Sequence, residues 1–188
     1  RQTSVFMERA LERFKEITEL FNEAGINIRA NDSTVSGFIV HSFPDEGIEI
    51  DGSTGFGDNN IIENNWVGIT PNGSAAGVGD DGILITEDAD GNVIRNNVVG
   101  SSTGDGILIR NNSDNNWVWG NIVGLGADGL TDLGNTGHGI YIEGNSTGNI
   151  IGTDGDGTND AAEGNTVSGN STGGIYVTGA GTDGNVIA

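Results

Sequence analysis

The chain has 188 residues, one domain's worth of sequence, and its 27 Asp and Glu against 7 Lys and Arg give a formal charge of −20. That balance excludes nucleic acid and anionic membrane as expected partners, because both repel an acidic surface. There is no cysteine, which excludes a disulfide framework, and 34 glycines against 2 prolines require either disorder or a regular repeat built on glycine.

Residues 1–24 differ from everything that follows. Met7, Ala10, Phe14, Ile17 and Phe21 recur at helical spacing, with Phe6, Leu11 and Leu20 widening the stripe, and predict an amphipathic helix over 4–24. Ser4 is placed to cap its start and Gly25 its end. Residues 1–29 hold five basic and five acidic residues, whereas 30–188 hold two and 22. The helix is expected to cover the open N-terminal end of a repeat that begins at residue 25. Its strong helix formers and mixed charge read as an engineered cap on a repeat of different origin, the rival reading being a partner-binding helix.

From Gly25 onward the phrase Gly-Ile-X-Ile/Val returns six times, beginning at Gly25, Gly47, Gly82, Gly106, Gly139 and Gly174. Each copy predicts a short strand with two Ile/Val on one side and a variable residue on the other. The spacings of 22, 35, 24, 33 and 35 residues belong to a solenoid, whose units cannot bury an apolar face alone. Between these strands lies a phrase framed by asparagine. It runs from Asn60 to Gly68, Asn92 to Gly100, Asn116 to Gly124 and Asn165 to Asn170, and the chain stops inside another at Asn185–Ala188. Asparagine tolerates left-handed backbone and suits a corner between strands. Stacked corners are expected to join their side-chain amides into ladders.

Three short strands per turn with Gly/Asn corners predict an all-β solenoid, a parallel β-helix of about six turns over 25–188. The pattern resembles the right-handed parallel β-helix repeat proteins, which include pectin-degrading enzymes, phage tailspikes and bacterial surface proteins. It is most similar to secreted bacterial repeats with Gly-Asn-X-Ile-Gly phrases, carried here by Gly148–Thr153 through Gly164–Asn165 and by Val123–Gly124 through Gly134–Asn135. The resemblance implies an extracellular or cell-surface protein, although the chain shows no signal peptide. It leaves function open among a non-catalytic adhesin-like scaffold, a carbohydrate-binding module and a polysaccharide-degrading enzyme.

Three groups of residues are candidates for chemistry. The residue preceding each repeat glycine forms a column with Glu46, Asp81, Asp105 and His138. Gly79–Gly82 and Gly137–Gly139 resemble two motifs of polygalacturonase-type hydrolases. That likeness implies Asp80 or Asp81 as acid or base and His138 as auxiliary, with Asp105 alongside. The Asn-Thr-Asp and Arg-Ile-Lys motifs of those enzymes do not occur. The variable position forms a second column, Glu49, Leu84, Leu108, Tyr141 and Tyr176, expected to point outward as an apolar stripe for sugar rings or a protein partner. Asp154, Asp156 and Asp160 have the oxygen spacing of a Ca²⁺ loop. On another face Glu63, Arg95 and Trp119 align, predicting an ion pair and a cation–π contact. The chain's last coil is expected to self-associate if uncovered.

Overall fold

The structure is a computed structural model and describes residues 23–188. The expected helix over 4–24 lies almost wholly outside the described residues.

Every repeat phrase becomes a strand of one six-stranded parallel sheet: Ile26–Ile28, Ile48–Asp51, Ile83–Thr86, Ile107–Ile109, His138–Ile142 and Gly173–Val177. The register keeps the phrase in step, so that Ile26, Ile48, Ile83, Ile107, Ile140 and Ile175 are successive partners. A second six-stranded sheet stacks Thr34–Ser36, Ile61–Glu63, Val93–Arg95, Trp117–Trp119, Ile150–Ile151 and Val186–Ile187. A third, of five strands, stacks Ile39–Val40, Trp66–Val67, Val98–Val99, Ile122–Val123 and Thr166–Val167. All named pairings are parallel, which makes the fold a parallel β solenoid of five complete coils and two strands of a sixth. Thr34–Ser36 and Ile39–Val40 belong to a first coil in which the sequence shows no asparagine phrase; Val35 and Val40 are what mark it.

One narrow core runs up the stack. Ile48, Ile50, Ile83, Ile85, Ile107, Ile109, Ile140 and Ile142 from the first sheet meet Ile62, Ile94, Val118 and Ile151 from the second and Val67, Val99 and Val123 from the third. Each fully buried isoleucine contributes roughly 1.5–3 kcal/mol relative to exposure. Longer coils bulge outward as turns closed by the antiparallel bridges Ile69–Ala75 and Leu125–Asp132. Ile69 and Leu133 cover Val98 there, with Trp66 and Ile122 beside them.

The Gly-Asn corner has a backbone cause. Asn59, Gly91, Asn115, Gly148 and Gly184 stack before the second sheet, all with φ between 56° and 69°. Gly, Asn and Asp adopt this left-handed geometry at lower cost than other residues, and Asp32 holds the corner in the first coil with φ 54°. The asparagine that follows points inward and forms the ladder: Asn60, Asn92, Asn116 and Asn149 each donate a backbone N–H to Oδ1 of the next, ending on Asn185 at 2.8–2.9 Å. A second ladder, Asn65, Asn97, Asn121 and Asn165, links the second and third sheets in the same way. These amides satisfy corner backbone groups that have no strand partner, which is why buried polar residues are tolerated beside an aliphatic core.

Candidate functional site

The acidic column is assembled as the repeat alignment predicts, and its carboxylates are used between coils. Asp81 Oδ1 accepts the Asp105 N–H at 2.7 Å, and Asp105 Oδ1 accepts the His138 N–H. The same oxygen lies 3.1 Å from His138 Nδ1. The glycines of the motif are explained by these contacts. A Cβ on Gly104 would lie 2.5 Å from Asp81 Oδ1 and 2.6 Å from Asp80 Oδ1, and one on Gly137 would lie 2.3 Å from Asp105 Oδ1. Glycine therefore lets each coil settle onto the aspartate of the coil before it. Asp81 and Glu46 are buried, Asp105 and His138 are partly buried, and Asp80 is exposed. Burial pushes the Asp81 carboxyl up to about 7, helped by the nearby Asp80 and Asp105 charges and opposed by the Asp105 amide. Burial also raises Asp80.

The outward stripe is corrected in part. Its register is as expected, with Glu49, Leu84, Leu108, Tyr141 and Tyr176 as successive partners. Leu84 and Leu108, however, are only 1% and 4% exposed, and neither belongs to the core clusters of the described residues. The two-residue period of a strand tells which side of a sheet a side chain takes; it does not tell whether that side is covered. The accessible apolar part shrinks to Tyr141, partly buried, and Tyr176, 48% exposed.

The two tyrosines and His138 form an aromatic group, which brings the end of the acidic column and the end of the stripe together. His138 and Tyr176 stack with centroids 5.0 Å apart, Tyr141 and Tyr176 stack at 5.5 Å, and His138 lies 4.9 Å from Tyr141. The Tyr141 hydroxyl donates to Glu143 Oε2 at 2.8 Å, and burial together with that carboxylate pushes the phenol up to about 12. Rings flanked by the acceptors Asp105 and Glu143 provide a face for stacking and acceptors for hydroxyl groups. Glu143 was not apparent as part of this group from sequence. The signal for it was its place two residues after Tyr141, on the same side of the strand.

On the second sheet Arg95 bonds Glu63 Oε2 through Nε and Nη2, at 2.7 and 2.6 Å, and stands 5.4 Å from the Trp119 ring centroid. Trp117 Nε1 donates to the Gly152 carbonyl at 2.8 Å. These contacts anchor strand to strand and strand to turn, as the alignment of Glu63, Arg95 and Trp119 implies.

The calcium-like loop also converges. Carboxylate oxygens of Asp154, Asp156 and Asp160 lie within 4.8 Å of one another on an exposed turn. Backbone amides wrap around them: Asp156 N donates to Asp154 Oδ1, Thr158 N to Asp156 Oδ1 and Gly157 N to Asp160 Oδ1, at 2.6–3.1 Å. Three carboxylates supply part of the six to eight oxygens that Ca²⁺ takes. A short helix, Asp160–Glu163, closes the loop.

Among the described residues no helix is long and apolar enough to cross a membrane. No protein-family model, curated protein or solved structure matches the chain.

Proposed function

We propose that the protein is a non-catalytic scaffold of the right-handed β-helix kind, borne outside the cell or on its surface. The right hand follows from the twist of L-amino-acid strands, which favours right-handed crossovers between parallel strands. The observation that carries the non-catalytic reading is the use of the aspartates. Asp81 and Asp105 each bind the backbone of the next coil, so the residues placed best for acid–base work are committed to stacking. The decisive experiment is incubation with neutral and acidic polysaccharides, with and without Ca²⁺, followed by assay of reducing and unsaturated ends. No new ends are expected. Their appearance, abolished by Asp81→Asn, would make the column an active site.

A second reading has its own observation. His138, Tyr141 and Tyr176 form a partly exposed aromatic surface beside two carboxylates, which is the chemistry that retains a sugar ring. Under this reading Tyr141→Ala with Tyr176→Ala abolishes retention on immobilised glycan while the melting curve stays cooperative. Retention that survives both substitutions would remove the tyrosines as the platform. Ca²⁺ at Asp154, Asp156 and Asp160 would order an exposed loop and is not required for either role. Self-association would use the exposed apolar residues of the sixth coil, Ile175, Val186 and Ile187.

A further inference from the structure

We propose that the aromatic group of His138, Tyr141 and Tyr176 takes an amino sugar, a ring carrying a free ammonium group, in preference to a neutral or a uronic one. This rests on the glycan-binding reading given above and adds to it the class of ring. The aromatic group is bracketed by two carboxylates. Glu143 Oε2 accepts the Tyr141 hydroxyl at 2.8 Å, and Asp105 Oδ1 lies 3.1 Å from His138 Nδ1. The three ring centroids stand 4.9–5.5 Å apart, so the rings and both acids form one continuous surface.

The polar groups of this surface are mostly acceptors. Both carboxylates only accept. Asp105 Oδ1 already takes the His138 backbone N–H, and the imidazole nitrogen facing it fits as the protonated one. That tautomer leaves Nε2 as a further acceptor. The Tyr141 hydroxyl is spent on Glu143. A ligand rich in hydroxyl and ammonium donors is matched here, whereas a uronate would bring acceptors to acceptors.

Charge decides between a neutral and an amino ring. Among the described residues neither carboxylate has a Lys or Arg within ion-pair distance: Asp105 has His138, and Arg29 and Arg95 pair with Asp51 and Glu63. Arg110 favours instead the charged forms of Glu49, Asp80 and Asp81, on the two coils before its own. An ammonium group placed between these acids and the ring faces gains a charge-assisted hydrogen bond and a cation–π contact, and a neutral hydroxyl gains neither. Tyr176 is 48% exposed and keeps the surface open to a ligand, while the partly buried Tyr141 and His138 hold it in place. The formal charge of −20 also draws cationic glycans to the molecule as a whole, and variants separate that attraction from the site.

The test is calorimetric titration of the full chain, at about pH 7 and about 0.15 M salt, with a soluble glucosamine oligomer, its N-acetylated form and a galacturonate oligomer. The glucosamine oligomer is expected to bind, the N-acetylated form at least ~10-fold more weakly and the galacturonate more weakly still. Tyr176→Ala and Glu143→Gln should each weaken the glucosamine oligomer at least ~10-fold, about 1.4 kcal/mol. Asp154→Asn, which removes one exposed charge elsewhere, should change it less than ~2-fold. Tyr176 is half exposed and Gln keeps an acceptor for the Tyr141 hydroxyl, so both site variants should fold. An N-acetylated or galacturonate oligomer that binds as tightly overturns the inference and leaves the glycan-binding reading standing. No binding of any oligomer overturns both. Unchanged binding in both site variants overturns the assignment. So does an equal loss in Asp154→Asn, or a lysine oligomer that competes as well as the sugar, the signature of net charge alone.

Discussion

The framing asparagines, except Asn60, whose buried Nδ2 has no partner among the described residues, combine two jobs. In Asn97, Oδ1 accepts the Asn65 backbone N–H, and Nδ2 donates both to the Ile62 carbonyl and to Asn121 Oδ1. Aspartate would lose the donor and bring charge into a buried place; leucine would lose both. The column aspartates are a weaker version of the same device, with only the acceptor half used, and they pay in ionisation. Asp81 carries a folded pKa of about 7, well above the ordinary carboxylate range. Its stabilising contribution is therefore full below about pH 4 and is lost as pH rises through about 7. Asp81→Asn keeps an oxygen for the Asp105 amide and removes the charge. At pH 8 it is expected to raise stability by on the order of 2 kcal/mol and to flatten the fall in Tm between about pH 4 and 7. Parallel melting curves for both proteins across that range would refute the burial argument. Asp51 works in the opposite sense. Its burial would raise it, but bonds from Ser53 and the charge of Arg29 hold it below the usual range, so its contribution is lost in acid.

At the scale of the element, a corner is a stacking surface, and the glycines before Asp105 and His138 are part of it. A methyl group on Gly104 has no room beside the Asp80 and Asp81 carboxylates. Gly104→Ala is expected to cost ~1–3 kcal/mol, read as a lower denaturation midpoint. Gly164→Ala is the control, since Gly164 has φ −61° and open space where a Cβ would sit, and it should shift stability by less than ~0.5 kcal/mol. Equal effects from the two would mean that the close approach over Asp81 is not what glycine serves. The strands themselves were legible because their repeat phrase combines period and punctuation: two isoleucines with one residue between, always after glycine. The Asp154 loop was legible for a related reason, its acids being close in sequence and bound by local amides. Glu46 was legible as a column member and Asp80 through the Gly79–Gly82 phrase, but Asp45, whose carboxylate lies close to both, was not singled out. Their meeting depends on how a 35-residue coil with an outward turn closes, and the spacing alone does not tell which corner residues end up opposite.

At the scale of the molecule, the fold stacks an acidic sequence in parallel, so like charges recur one coil apart. Ladders such as Asp58, Asp90 and Asp114, joined by backbone N–H to carboxylate bonds, place acids in register along the stack. With a formal charge of −20 the folded state repels itself more than the unfolded chain does. Raising NaCl from about 10 mM to about 500 mM shortens the screening length from ~30 Å to a few Å and should raise Tm by several degrees. A Tm that falls or stays level over this range would show that ion pairs such as Arg95–Glu63 outweigh the repulsion. The sequence by itself determined the coil: period, strand positions, inward isoleucines and the asparagine ladders all follow from local patterning repeated without change of register. Tertiary structure alone decided which outward residues are covered, so that Leu84 and Leu108 are buried while Tyr176 is open. It alone decided which acids from different coils meet. Both depend on the unequal turns between strands, whose lengths carry no periodic signal and whose paths are settled only when the coils pack.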